Sequence, residues 1–99
     1  MSEELCCKRK KHRDEKEMSR LRNRLKRIEG QVRGVSKMLE EDAYCTDILM
    51  QTSAIQSALN SFNKALLENH IRTCVVDDIK EGREEVITDL VETIQKLMK

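Results

Sequence analysis

The chain has 99 residues, the length of one domain, with 38% hydrophobic, 37% charged and 2% aromatic residues. An interior with so few aromatic side chains must use Leu, Ile, Val, Met and Ala, and such a small core usually needs a partner subunit. The sequence has no Pro and only three Gly, and its abundant Glu, Lys, Arg and Leu favour helix. We therefore expect an all-α fold.

The sequence shows no apolar run long enough to cross a membrane, and its charged beginning has no apolar segment typical of a secretory signal. We expect a cytoplasmic protein without a membrane partner. Four Cys in such a protein indicate thiols, metal ligands or redox groups rather than a disulfide framework.

The net charge of +1 hides a strong asymmetry along the chain. Residues 8–37 contain thirteen Lys or Arg against four Asp or Glu, whereas residues 38–99 contain six against twelve. A surplus of that size in one segment favours binding to nucleic-acid phosphates. The alternative is a solvated helix face laced with ion pairs between residues four apart.

Residues 1–16 have no hydrophobic period, and we predict a disordered basic arm there, followed by one helical domain over residues 17–99. A first helix is predicted over residues 16–41 because its apolar residues recur at alternating steps of three and four. These residues are Met18, Leu21, Leu25, Ile28, Val32, Val35 and Leu39.

A second helix is predicted over residues 43–80, with Asp42 as its N-cap and Gly82 as a C-cap signal. It would be about 57 Å long, too long to bury its apolar seam inside a compact monomer. The seam consists of Cys45, Ile48, Thr52, Ile55, Leu59, Phe62, Leu66 and His70. A short third helix after Gly82 is predicted from Val86, Ile87, Leu90, Val91, Ile94 and Leu97.

His70 and Cys74 are four residues apart, so on a helix they share one face and are able to hold one ion. Cys45 lies within about 20° of His70 around the same helix but about 37 Å away along it. The three meet only if two second helices pair antiparallel, which predicts a dimer with two identical sites.

Two thiolates and one imidazole form a soft donor set that favours Cu(I), whereas a structural zinc site normally requires a fourth ligand. The alternative is that Cys45, His70 and Cys74 are packing residues of a structural coiled coil, which predicts no response to metal.

The residues Tyr44 and Cys45, then His70 and Cys74, together with NRLKRIEGQVRGV at 23–35, resemble the copper-sensing transcriptional repressors of the CsoR/RcnR family. The resemblance covers residues 20–98. It implies antiparallel dimers that pair into a flat homotetramer. It also implies binding of double-stranded operator DNA without metal and release on Cu(I) binding, which would control copper efflux or resistance genes.

The same resemblance implies roles for further residues. Tyr44 and an acidic residue on the third helix would hold His70 by hydrogen bonds. Asp89 is the nearest match for that acidic residue, with Glu85 and Glu92 as the other candidates. The implied DNA-binding residues are Arg20, Arg22, Arg24, Lys26, Arg27 and Arg33.

Other functions of the same chain are open at this point. One alternative is a repressor of the same fold that responds to persulfide through Cys45 and Cys74, or to nickel or cobalt, although the presence of His70 with both thiols favours copper. An enzyme is disfavoured because we find no nucleophile with a positioned base, no glycine-rich phosphate loop and no paired carboxylates.

Overall fold

A computed structural model describes residues 15–98, so the predicted arm lies outside the described residues up to position 14, as does the final residue. Every regular element within residues 15–98 is helical, which confirms the all-α prediction. The elements are α1 (Glu15–Glu40), α2 (Cys45–His70), a π-helical turn (Ile71–Val75), α3 (Val76–Lys80) and α4 (Glu85–Leu97).

The second predicted helix is continuous through α2, the π turn and α3. The backbone dihedral angles of His70, Val75 and Val76 all lie in the right-handed helical region. The three helices predicted from the apolar spacing are therefore present, with ends that differ from the prediction by one or two residues for α1 and α2.

The end of α1 differs from the prediction at Asp42. Asp42 has a left-handed φ of 55°, its N–H donates to the Leu39 carbonyl at 3.2 Å, and the Ala43 N–H donates to the Met38 carbonyl at 2.9 Å. This pair of bonds closes the C-terminus of α1, so the prediction of Asp42 as the N-cap of α2 is wrong. The spacing of Asp42 before α2 resembles an N-cap signal, but the backbone bonds that end α1 take precedence.

The loop between α3 and α4 contains the predicted C-cap glycine. Gly82 has a φ of 81°, a conformation that costs glycine little because it has no Cβ. Its N–H donates to the Ile79 carbonyl at 3.0 Å, and the Arg83 N–H donates to the Asp78 carbonyl at 2.8 Å. These two bonds form a Schellman motif that ends α3.

The described chain divides into two compact units, at residues 15–66 and 67–98. The first contains α1 and most of α2, and its buried side chains are Leu21, Ile28 and Ile55. The second contains the π turn, α3 and α4, and its core is formed by Val75 and Val86 with Leu90 packed against them. No helix in residues 15–98 is both long and apolar enough to span a bilayer.

Many seam residues are exposed in the single protomer. Only part of each predicted seam is buried, and Leu39 of the first seam keeps 67% of its surface exposed; outside the seams, Met50 keeps 70%. Other large apolar residues left exposed are Met18, Leu25, Val32, Leu49, Leu59, Ile87, Val91 and Leu97. One protomer therefore carries far more apolar surface on its helices than its own core covers.

Candidate metal centre

Cys45 is the first residue of α2 and is exposed. The carbonyl of the preceding Tyr44 accepts hydrogen bonds from the N–H groups of Asp47 at 3.0 Å and Ile48 at 3.2 Å. Tyr44 is therefore the residue from which the helix begins, and its own side chain is exposed. The fold thus leaves the Cys45 thiol open at the start of a long helix.

His70 and Cys74 lie where the helix changes its winding. His70 is the last residue of α2 and is half-buried, whereas Cys74 lies in the π turn and is only 1% exposed. The Val76 N–H donates to the Ile71 carbonyl, five residues back, which is the bond that defines a π turn. The expectation of a regular α-helical spacing between His70 and Cys74 is therefore corrected to a wider turn.

A side-chain hydrogen bond also lies within this turn. The Thr73 hydroxyl donates to the Asn69 carbonyl at 2.8 Å, a type of bond that often accompanies a local bend of a helix. π turns inside α-helices are rare and occur frequently at functional sites. The winding of the helix thus changes at the segment that carries two of the three predicted ligands.

One turn beyond Cys74 lies an ion pair that the sequence analysis did not find. Arg83 Nη1 donates to Asp78 Oδ1 at 3.0 Å, and the two side chains are 10% and 0% exposed. Arg83 also forms an ion pair with the more exposed Glu81. The sequence shows an acidic residue four positions after Cys74 and a basic residue directly after Gly82. Neither residue belongs to an apolar pattern, so nothing in the sequence indicated that the pair is buried.

The proposed supports of His70 have different environments. Asp89 is half-buried on α4, whereas the other acidic candidates, Glu85 and Glu92, are exposed. The carbonyl of Asp89 accepts a hydrogen bond from the Thr93 hydroxyl at 2.9 Å. Among the three acidic candidates, Asp89 is the one that packs closest to the interior of its unit.

The predicted ligands are divided between the two compact units. Cys45 belongs to the first unit, and His70 and Cys74 belong to the second. Within residues 15–98 of one chain, no group of three or more His, Cys, Asp or Glu side chains is placed to hold a metal ion.

The six predicted DNA-binding residues all lie on α1 and are exposed. Arg33 donates from Nη1 to Glu29 Oε1 at 3.0 Å, an exposed pair four residues apart. Such pairs contribute only about 0.3–0.5 kcal/mol, so this pair holds the Arg33 side chain only weakly.

An all-helical protomer with predicted soft metal donors on α2 and the π turn, and with a cationic surface on α1, is typical of one class of protein, the helical metal-responsive DNA-binding regulators. Residues 17–96 match the family described as metal-sensitive transcriptional repressor, and the chain belongs to that family. Membership confirms the resemblance found in the sequence and the expectation of a non-enzymatic regulator.

Known relatives sharpen this assignment. The chain is 48% identical over 89 residues to the copper-sensing transcriptional repressor CsoR of Bacillus subtilis, with 89% of this chain and 88% of the relative covered. The crystal structure of the copper-sensing repressor CsoR with Cu(I) from Geobacillus thermodenitrificans superposes with a TM-score of 0.86 at 46% identity, over 91% and 95% of the two chains. The nickel-responsive transcriptional regulator InrS superposes with a TM-score of 0.68 at 34% identity, over 79% and 89%.

Proposed function

We propose that the chain is a Cu(I)-responsive repressor that binds double-stranded operator DNA without metal and releases it when Cu(I) binds. Its target genes would be those of copper efflux or resistance. The observation that carries the proposal is the soft donor set of Cys45, His70 and Cys74 in a chain that is 48% identical to a copper-sensing repressor. A repressor acts where its DNA is, so we place the protein in the cytoplasm.

The proposed site takes Cys45 from one protomer and His70 with Cys74 from another. A continuous α-helix rises about 37 Å over the 25 steps from Cys45 to His70, so the donors of one straight helix are too far apart to share an ion. Two thiolates and one imidazole suit Cu(I), which accepts low coordination numbers. When bound, the ion would join the two protomers through its coordination bonds to these donors.

His70 needs support in this arrangement because an imidazole ligand is oriented by the hydrogen bond of its other nitrogen. We propose Tyr44 and Asp89 for this role. The half-burial of Asp89 supports its choice over Glu85 and Glu92, since a carboxylate shielded from water holds its partner more firmly.

The oligomer follows from the exposed apolar residues of the helices. On α2, Leu59 of the seam is exposed, as are Leu49 and Met50 outside it, and burying such residues contributes about 25 cal/mol for each Å² removed from water. We propose that antiparallel pairing of two protomers covers them and that two such dimers form a flat tetramer. The exposed apolar residues of α1 and α4 provide further surface for that second contact.

For DNA we propose the exposed cationic face of α1, formed by Arg20, Arg22, Arg24, Lys26, Arg27 and Arg33. Guanidinium and ammonium groups neutralise phosphates, so the affinity should fall steeply with salt. Release by Cu(I) requires tighter metal binding by the DNA-free conformation, and the coupling is then reciprocal.

The proposal is tested by fluorescence anisotropy of a labelled promoter fragment from a copper efflux or resistance gene of the source organism. Metal-free protein should bind the fragment, and anaerobic addition of one equivalent of Cu(I) per chain should weaken binding at least tenfold. The variants Cys45→Ser and His70→Ala should bind DNA but lose the copper response. Unchanged DNA affinity with Cu(I) would refute the proposal, and a response to a persulfide donor instead would identify a thiol-oxidation sensor acting through Cys45 and Cys74.

A further inference from the structure

We infer that the buried ion pair of Asp78 and Arg83 is a positioning pair for the thiol of Cys74. The inference rests on the proposed function, because it assigns the pair a role in the uptake of Cu(I) by Cys74. Neither residue is a ligand in the proposal. They act by fixing the helical segment on which that ligand sits.

The pair is unusual for its place in such a small core. Asp78 is 0% exposed and the Arg83 side chain is 10% exposed, so both charges have lost most of their hydration. Burying two charges costs several kcal/mol per ion, and well-packed apolar residues often replace a buried pair without loss of stability. An ion pair in a core does, however, fix the relative orientation of the two segments that carry it, because a planar guanidinium meets a carboxylate at a defined angle.

Arg83 holds Asp78 by its backbone as well as by its side chain. The Arg83 N–H donates to the Asp78 carbonyl at 2.8 Å as part of the Schellman motif, and its guanidinium donates to the Asp78 carboxylate at 3.0 Å. An apolar contact normally joins these two positions in that motif. Here the charged contact ties the loop between α3 and α4 to the middle of α3.

The segment that carries Cys74 lacks the regular bonding of an α-helix. The Val76 N–H is shared between the carbonyls of Ile71 and Thr73, and π turns are less common and less regular than α turns. Cys74 therefore depends on its C-terminal side for a fixed position. Asp78 follows Cys74 by four residues, and both side chains are fully buried within the same unit.

The apolar packing at this point is too small to define the position alone. Val75 and Val86 form the core with Leu90 beside them, and valine contacts are not directional. The ion pair therefore sets how α3 meets the loop, and through α3 it sets the backbone at Cys74. A misplaced thiol would cost metal affinity, since supporting residues around ligands typically contribute 10- to 100-fold.

The test uses the double variant Asp78→Leu with Arg83→Met, which removes both charges and keeps comparable volume. Its matched control is Lys37→Met with Glu40→Leu, which also removes one charge of each sign, because both residues are exposed on α1 and α1 carries none of the three ligands. Cu(I) affinity is measured by competition with a chromophoric Cu(I) chelator, and helical content by circular dichroism. We expect the Asp78/Arg83 variant to bind Cu(I) about tenfold more weakly with unchanged helical content, and the control to bind like the parent.

A second readout needs no metal. Alkylation of the Cys74 thiol in metal-free, reduced protein should be at least about threefold faster in the Asp78/Arg83 variant, because the segment is held less firmly. If the variant is folded and its Cu(I) affinity and alkylation rate match those of the parent, the inference is overturned. If the double variant does not fold, Arg83→Lys decides, since it keeps the charge and loses the planar fork. Weaker Cu(I) binding by this variant supports the inference, and parental affinity overturns it.

The outcome for the proposed function is separate. Failure of the parent to bind Cu(I) would refute the proposed function itself. Parental binding with no effect of the pair would refute only the inference.

Discussion

Arg83 bonds to Asp78 through both its main chain and its side chain, at 2.8 Å from the backbone N–H to the carbonyl and at 3.0 Å from the guanidinium to the carboxylate. The two residues enclose the left-handed Gly82. These two bonds close the loop between α3 and α4. Removing only one of the two charges should therefore destabilise the C-terminal unit more than removing both.

The single variant Arg83→Met should destabilise the protein by about 3–5 kcal/mol, because it removes the guanidinium that pairs at 3.0 Å with the buried carboxylate of Asp78. The double variant with Asp78→Leu should recover most of that loss, since no charge is then left in the core. Urea denaturation at fixed protein concentration measures both. Removal of the exposed Glu68–Arg72 pair should change the free energy of unfolding by less than about 0.5 kcal/mol.

Val86→Ala should destabilise the protein by about 2 kcal/mol. Val86 is fully buried against Val75, and losing two buried methyl groups costs about 0.8 kcal/mol each plus a cavity term. The surface variant Thr88→Ala on the same helix provides the control and should be neutral or slightly stabilising. Equal thermal stability of Val86→Ala and the parent would contradict this packing.

Asp42→Gly should stabilise the protein by about 0.5 kcal/mol. A left-handed conformation costs an L-residue roughly 1–2 kcal/mol relative to glycine, and the greater freedom of glycine in the unfolded chain offsets part of the gain. Thermal denaturation should show a rise of a few degrees. In contrast, Glu40→Gly inside the last turn of α1 should destabilise by about 1 kcal/mol, and a loss of stability in both variants would show that Asp42 contributes more than its backbone conformation.

The thiols of Cys45 and Cys74 should react at different rates. Cys45 is exposed and Cys74 is buried, so an alkylating reagent reaches Cys74 only after local opening, which slows it by about tenfold for each 1.4 kcal/mol of opening free energy. Peptide mapping by mass spectrometry after a timed pulse of iodoacetamide on the reduced, metal-free protein measures both rates. Equal rates would show that the π turn opens freely.

Removing positive charge from α1 should weaken DNA binding by a similar factor for all DNA sequences. Arg24→Ala and Arg27→Ala should each lower the dependence of the logarithm of the association constant on the logarithm of salt concentration by about one unit, as expected for the loss of one phosphate contact. Arg72→Ala, which removes an exposed cation of the π turn, is the matched control and should keep the parental slope. A parental slope in Arg24→Ala and Arg27→Ala would place the DNA surface elsewhere.

Most of the secondary structure, but not all of it, could be predicted from the sequence. The three helices were predictable because a period of three and four residues in Leu, Ile and Val directly reflects the winding of an α-helix. The sequence also predicted the C-cap at Gly82, because positive φ strongly favours glycine. It failed at Asp42, where one residue type suits both the start of a helix and the left-handed end of the previous one.

The donor set of the proposed metal centre was predicted from residue types and spacing alone, and it stays a prediction for Cys45, His70 and Cys74. The π turn between His70 and Cys74 was not predictable, because the choice between a bond four or five residues back is decided by the packing around the turn and not by one residue type. The same holds for Asp78 and Arg83. Their charges are visible in the sequence, but their burial is not.

By itself, then, the sequence determined the all-helical class and the cationic character of α1, and it predicted the chemistry of the proposed donors, since each is a property of residue type and local period. Only the tertiary structure decided that Cys74 is buried while Cys45 is exposed and that Arg83 meets Asp78 inside the core. The physical reason is that burial depends on what a neighbouring element covers, and no local pattern carries that information.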